Sequence, residues 1–166
     1  MKKMIAIFIA VLLLFCVACG DSNFSADTTC EQILNAAITA ESYDNTQTYT
    51  TSGTKLDKNL MSMWSDGVFA ECEEFDLISD YAICYSNDNT TYEISVLKAK
   101  TQADVLKLES LCERRKQTLE AGTKAAYDPN FKQLMQKSKI VTEGEYVILL
   151  ITDDNDAVIS AIEKLK

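Results

Sequence analysis

The sequence predicts an α+β fold, a single two-layer domain in which an antiparallel sheet of about four strands, built as two hairpins, carries helices packed on it. Three observations predict this. Two pairs of short apolar runs rich in β-branched and aromatic residues are each joined by turn residues, 80–86 with 92–100 and 139–142 with 145–152. Three longer stretches repeat apolar residues at three- and four-residue spacing. Removing a leader of residues 1–18 from the 166 leaves 148, which suits one core better than two.

The leader has the layout of a bacterial export signal. Lys2 and Lys3 open it, Ile5 to Phe15 is unbroken apolar chain, and Val17-Ala18 precede Cys19. Small residues followed directly by cysteine point to a lipoprotein signal, in which the Cys19 thiol is alkylated with diacylglycerol and the chain is cut before it. Cys16 stands where leucine is common in such signals, and its neighbours Phe15 and Val17 disqualify it as the anchor. Two acyl chains attach stably where one is marginal. The apolar run from Met4 to Ala18 is shorter than the roughly 20 residues a spanning helix needs. The expected location is the extracytoplasmic face of the cell membrane, with the lipid on Cys19 as the contact with it.

Residues 19–27 read as the lipidated cysteine and a flexible polar tether, and 28–166 as the folded domain. Thr28 and Glu31 have the form of a capping box. The helix behind them places Cys30, Ile33, Leu34, Ala37 and Ile38 on one stripe and ends near Glu41. Residues 42–58, rich in Thr, Ser, Asn and Asp, read as an exposed loop. Leu56 to Trp64 reads as one or two helical turns closed by Gly67, with Trp64 as a core anchor.

Tyr81, Ile83 and Tyr85 alternate with Ala82 and Cys84 in the first strand, and Asn87-Asp88-Asn89 turns the chain into the second. Thr101 caps the longest helix, which runs to Ala121 with Val105, Leu108, Leu111, Cys112 and Leu119 on one side. The cluster Arg114-Arg115-Lys116 reads as a solvated face of it. Pro129 starts a short helix. Tyr146 to Ile151 is apolar on both faces, so it reads as a central strand covered on both sides. Asp153-Asp154-Asn155-Asp156 caps a final helix striped by Val158, Ala161, Ile162 and Leu165.

The order of Tyr81, Glu93 to Lys100, a long charged helix, Tyr127-Asp128-Pro129, Gly144-Glu145-Tyr146-Val147 and Ile151-Thr152-Asp153-Asp154 resembles a family of small Gram-positive bacterial lipoproteins carrying a domain of unknown function. The resemblance spans roughly residues 28–166. It implies an extracytoplasmic, membrane-anchored α+β domain with no assigned chemistry.

The whole chain carries a formal charge of −9; because two of its 16 basic residues lie in the leader, the remainder carries −11. Such a surface repels phosphate backbones, so no nucleic acid is expected as a partner. The chain has no histidine, which removes the commonest general base near neutral pH and the commonest metal ligand. Neither a cofactor nor a metal is expected. The acidic run at 153–156 lacks the glycine and distant glutamate of a calcium loop. Glu71, Glu73, Glu74 and Asp76 are the carboxylates that a hydrolase would have to use.

Cys30, Cys72, Cys84 and Cys112 remain beyond the anchor, in a compartment where disulfides form. Three pairings are open. Cys72 with Cys84 closes a short loop and leaves Cys30 with Cys112; buried thiols acting as small hydrophobes are the alternative. The functional expectation is a binding or interaction module whose partner is an extracytoplasmic protein or a small ligand. A cell-envelope hydrolase using acidic residues and a purely structural envelope lipoprotein are the alternatives.

Overall fold

The computed structural model describes residues 23–122 and 124–166. The leader and Cys19 lie outside the described residues. Helix α1 (Cys30–Ala40) is followed by β1 (Thr46–Thr50), α2 (Lys58–Asp66), β2 (Ile78–Ser86) and β3 (Glu93–Ala99). Then come α3 (Val105–Ala121), the one-turn α4 (Lys124–Tyr127), α5 (Phe131–Lys137), β4 (Lys139–Glu143), β5 (Tyr146–Ile151) and α6 (Asn155–Ile162). The class is α+β, with one sheet of five strands in the order β1-β2-β3-β5-β4, antiparallel throughout.

Both expected hairpins form, β2 with β3 and β4 with β5. In the second, Gly144 takes φ +57°, a left-handed turn conformation that costs glycine nothing. Two expectations are corrected. The fifth strand, β1, lies within the stretch 42–58 that reads as a loop, and it pairs with β2 from Thr46↔Ser86 to Thr50↔Ala82. The domain also has three layers rather than two, because both faces of the sheet are covered. Ala82, Cys84, Ile94, Val96, Ile148 and Leu150 pack under α1 and α6. Ile83, Leu97, Val147, Leu149 and Ile151 pack under α2, α3 and α5. Every residue of β5 is buried, as its two-sided apolar run requires.

The helices form where their stripes and caps direct. The capping box of α1 lies one residue later than Thr28 and Glu31 suggest: Thr29 accepts from the N–H of Gln32, and the Gln32 side chain accepts from the N–H of Thr29. Glu31 instead accepts from the Ser52 hydroxyl at 2.5 Å. Helix α2 is capped by Asp57 and ends at Gly67 in the left-handed conformation. Thr101 does not cap α3 as expected: a 3-10 turn over Gln102–Asp104 intervenes, and the Thr101 hydroxyl donates to the Asp104 carboxylate.

The folded part starts earlier than residue 28. Phe24 is only 7 % exposed and meets the Tyr146 ring edge-on at 5.1 Å. Lys98 Nζ donates to the Ala26 carbonyl at 3.1 Å, and the Tyr146 hydroxyl donates to that of Thr28 at 2.5 Å. Residues 23–27, expected as tether, are therefore docked at the end of the sheet where β3 finishes and β5 begins.

Candidate functional site

At the opposite end of the sheet, where β3 begins and β5 finishes, four separate segments surround a cavity of about 90 Å³ that opens to solvent. Tyr43 comes from the connection after α1, Thr91 and Tyr92 from the β2–β3 turn, Asp128 from the segment before α5, and Thr152 and Asp153 from the end of β5. Antiparallel pairing of Glu93 with Ile151 brings the second and fourth segments side by side.

The lone proline helps to place Asp128. A residue before proline is disfavoured in the helical region, and α4 stops at Tyr127. Asp128 is 7 % exposed; its Oδ1 accepts from the Asn130 N–H at 2.8 Å and its Oδ2 from the Thr91 N–H at 2.6 Å. No cation pairs with it among the described residues. Thr91 is 3 % exposed, and its hydroxyl is the one buried side-chain polar atom among the described residues that has no hydrogen-bond partner. A buried polar group left unpaired costs on the order of 1–3 kcal/mol, so such groups call for an explanation.

The aromatic wall is Tyr43 stacked on Tyr92, with ring centroids 5.4 Å apart. The Tyr92 hydroxyl donates to the Glu41 carbonyl at 2.8 Å. Burial first, then the neighbouring Cys84 and Glu41, pushes the Tyr92 phenol up, so it stays a donor. The Glu41 carboxylate accepts from the Asp153 and Asp154 N–H groups at 2.6 and 2.7 Å, fixing the start of α6 against the end of α1. Among the described residues no lysine or arginine lines the cavity. It can therefore offer a ligand carboxylates, hydroxyls and a ring.

Two residues beyond Thr91, β3 carries a second buried carboxylate with a different environment. Glu93, 1 % exposed, accepts from Arg115 Nε and Nη2 at 2.8 and 2.7 Å through Oε2, and from Trp64 Nε1 and Ser95 Oγ through Oε1. The guanidinium lies over the Trp64 and Tyr85 rings and donates to the Trp64 carbonyl. Arg115 is thus a core residue, not part of a solvated basic face. Its position seven residues after Leu108 on the apolar stripe of α3 is the signal for that.

The remaining sequence candidates are placed as follows. Cys30, Cys72, Cys84 and Cys112 are buried free thiols. Cys30 and Cys84 belong to the core under α1 and α6, Cys72 and Cys112 to the core on the other face. The structure does not bring Cys72 to Cys84 or Cys30 to Cys112, because the sheet lies between the members of each pair. Asp154 caps α6 by accepting from the Ala157 N–H, and Asp156 pairs with Lys139 at 2.5 Å. No group of three or more acids or cysteines is arranged to hold a metal ion among the described residues.

Of the acids at 71–76, Asp76 pairs with Lys58 at 2.5 Å and Glu74 with Arg114 at 2.9 Å. Burial opposes ionisation of Glu74, but its backbone N–H and the Arg114 guanidinium outweigh it and hold the carboxyl below the usual range. A general acid needs the opposite shift.

No curated protein and no solved structure matches the chain. A family model does match, from the turn before β2 to the last residue before Asp153, and this stretch supplies Thr91, Tyr92, Asp128 and Thr152 of the cavity. A DUF4358 domain, a domain of unknown function, is found at residues 74–152.

Proposed function

We propose that this chain is an extracytoplasmic lipoprotein of a Gram-positive bacterium, held to the membrane by a diacylglyceryl group on Cys19, and that its folded part is a binding module for a small polar ligand. The observation that carries the binding half is the cavity at the start of β3, where a buried hydroxyl and a buried carboxylate, the one unpaired and the other without a cation among the described residues, converge with a tyrosine pair. Concave sites with a few convergent polar groups are the usual form of a ligand site.

The anchoring half rests on the leader and on where the chain arrives. Residues 23–28 dock at the end of β3 remote from the cavity, and seven strand residues at about 3.3 Å each separate the two ends by roughly 20 Å. An anchor at Cys19 leaves the cavity facing away from the bilayer. Among the described residues no helix is long and apolar enough to cross a membrane.

Two measurements test the proposal. Mass spectrometry of the mature amino terminus is expected to find diacylglyceryl-modified Cys19, and an unmodified start at another residue contradicts the anchor. A thermal-shift screen of small polar compounds is expected to give ligands that stabilise the natural chain but not Thr91→Leu, whose larger side chain occupies the cavity. Ligands insensitive to that change contradict the site.

A further inference from the structure

We propose that the cavity takes a small organic cation, an ammonium group carried on a hydroxylated frame, with the charge against Asp128 and Asp153, the frame against Tyr43 and a hydroxyl on Thr91. This rests on the cavity being the ligand site.

The comparison between the two buried carboxylates at this end of the sheet leads to it. Glu93 has its own arginine, in a two-pronged ion pair with all its hydrogen bonds made. Asp128 is nearly as buried, yet its partners among the described residues are two neutral backbone N–H groups. Each Asp128 oxygen accepts one of these bonds, and a carboxylate oxygen has room for a second. A buried carboxylate is costly unless a positive charge compensates it. Among the described residues one carboxylate is compensated internally and the other stands at the wall of an open cavity.

The surroundings select the sign and the size. Asp153 lines the same cavity, Glu41 sits behind it, and among the described residues no lysine or arginine lines it, so an anion would meet repulsion from these carboxylates. A neutral ligand would satisfy Thr91 and leave Asp128 uncompensated. A bare metal ion would find two carboxylates where divalent cations take six or more oxygens. An ammonium needs fewer partners, and an aromatic face such as that of Tyr43 attracts it. The enclosed space of about 90 Å³, less than the roughly 150 Å³ that takes a benzene ring, suits a molecule of amino-alcohol size.

The test uses the full-length chain in non-ionic detergent, below neutral pH so that amines are protonated, with ethanolamine, ethylene glycol and calcium chloride as calorimetric probes. The expected result is saturable binding of ethanolamine at least about tenfold tighter than ethylene glycol. Asp153→Asn, which removes a charge but no observed hydrogen bond, is expected to weaken ethanolamine binding severalfold with unfolding temperature unchanged. Thr91→Val is expected to weaken it without loss of stability. Equal affinity for ethylene glycol and ethanolamine overturns the cation and leaves the cavity as a ligand site. Tighter binding of calcium than of either organic probe overturns the organic cation. Binding of none of the three, or ethanolamine binding indifferent to both variants, overturns the proposal together with the site.

Discussion

The Thr91 N–H donates to the Asp128 carboxylate across 2.6 Å, tying the start of β3 to the turn at the only proline, 37 positions further along the chain. This bond holds one wall of the cavity to the other. Asp128→Ala leaves the buried Thr91 donor and the more exposed Asn130 donor without their acceptor and is expected to cost about 1–3 kcal/mol in chemical denaturation. Thr91→Val keeps the backbone bond and removes only the unpaired hydroxyl, so its stability is expected to equal or exceed the natural chain's. A loss above about 1 kcal/mol in Thr91→Val would show that the hydroxyl has a structural partner.

Glu93 and Arg115 form the other polar feature of this end, and it is closed. Arg115→Met leaves a buried carboxylate unpaired and is expected to cost about 3–5 kcal/mol, as is Glu93→Leu for the reverse reason. The double variant is expected to lose clearly less than the sum of the two. Additive losses in denaturant melts would mean that the two side chains act independently.

Phe24 distinguishes a docked segment from a tether. Phe24→Ala removes a ring packed on Tyr146 and is expected to destabilise the fold by about 3 kcal/mol. A change within about 0.5 kcal/mol would return residues 23–27 to the solvent.

Three of the buried thiols, Cys30, Cys72 and Cys112, make stability depend on alkaline pH. Burial pushes the Cys72 thiol up from 9.0 to about 11, and it pushes Cys30 and Cys112 up further. The native state holds these protons more tightly than the unfolded chain does, so the stabilisation is complete below pH 9 and is lost as pH rises toward and through the raised values. Denaturation midpoints should fall between pH 9 and about 11, and thiol reagents should find Cys30, Cys72, Cys84 and Cys112 unreactive until the chain unfolds. Fewer than four of these thiols reacting after unfolding without reductant would instead indicate disulfides.

Elements whose own sequence contains their burial pattern were legible. The run Tyr146 to Ile151 reads as a doubly covered strand and is one, and the stripes of α1 and α3, with Val158 and Ile162 of α6, place the buried faces; Leu165, read on the last stripe, is exposed beyond the end of α6. What depended on partners was not. Thr46 to Thr50 looks like solvated loop because an edge strand buries little of its own; its β-branched residues become a strand only through pairing with β2. The apolar character of both faces of β2, Tyr81 and Ile83 against Ala82 and Cys84, was the available sign of a third layer. Arg115 is charged, which masked its place on the stripe. The cavity was illegible because Tyr43, Thr91, Asp128 and Asp153 lie on four segments that meet only in the folded sheet.

The central claim is that the binding surface lies at the start of β3, remote from the anchored end. Amide NMR of the full-length chain in non-ionic detergent, titrated with small polar compounds, tests it most directly. Binders are expected to shift the amides of Thr91, Tyr92, Asn130, Thr152 and Asp153 and to lose that effect in Thr91→Leu. Shifts gathered instead in the shallow groove beside Leu106 and Ile140, or at Phe24 at the other end of the sheet, would contradict it.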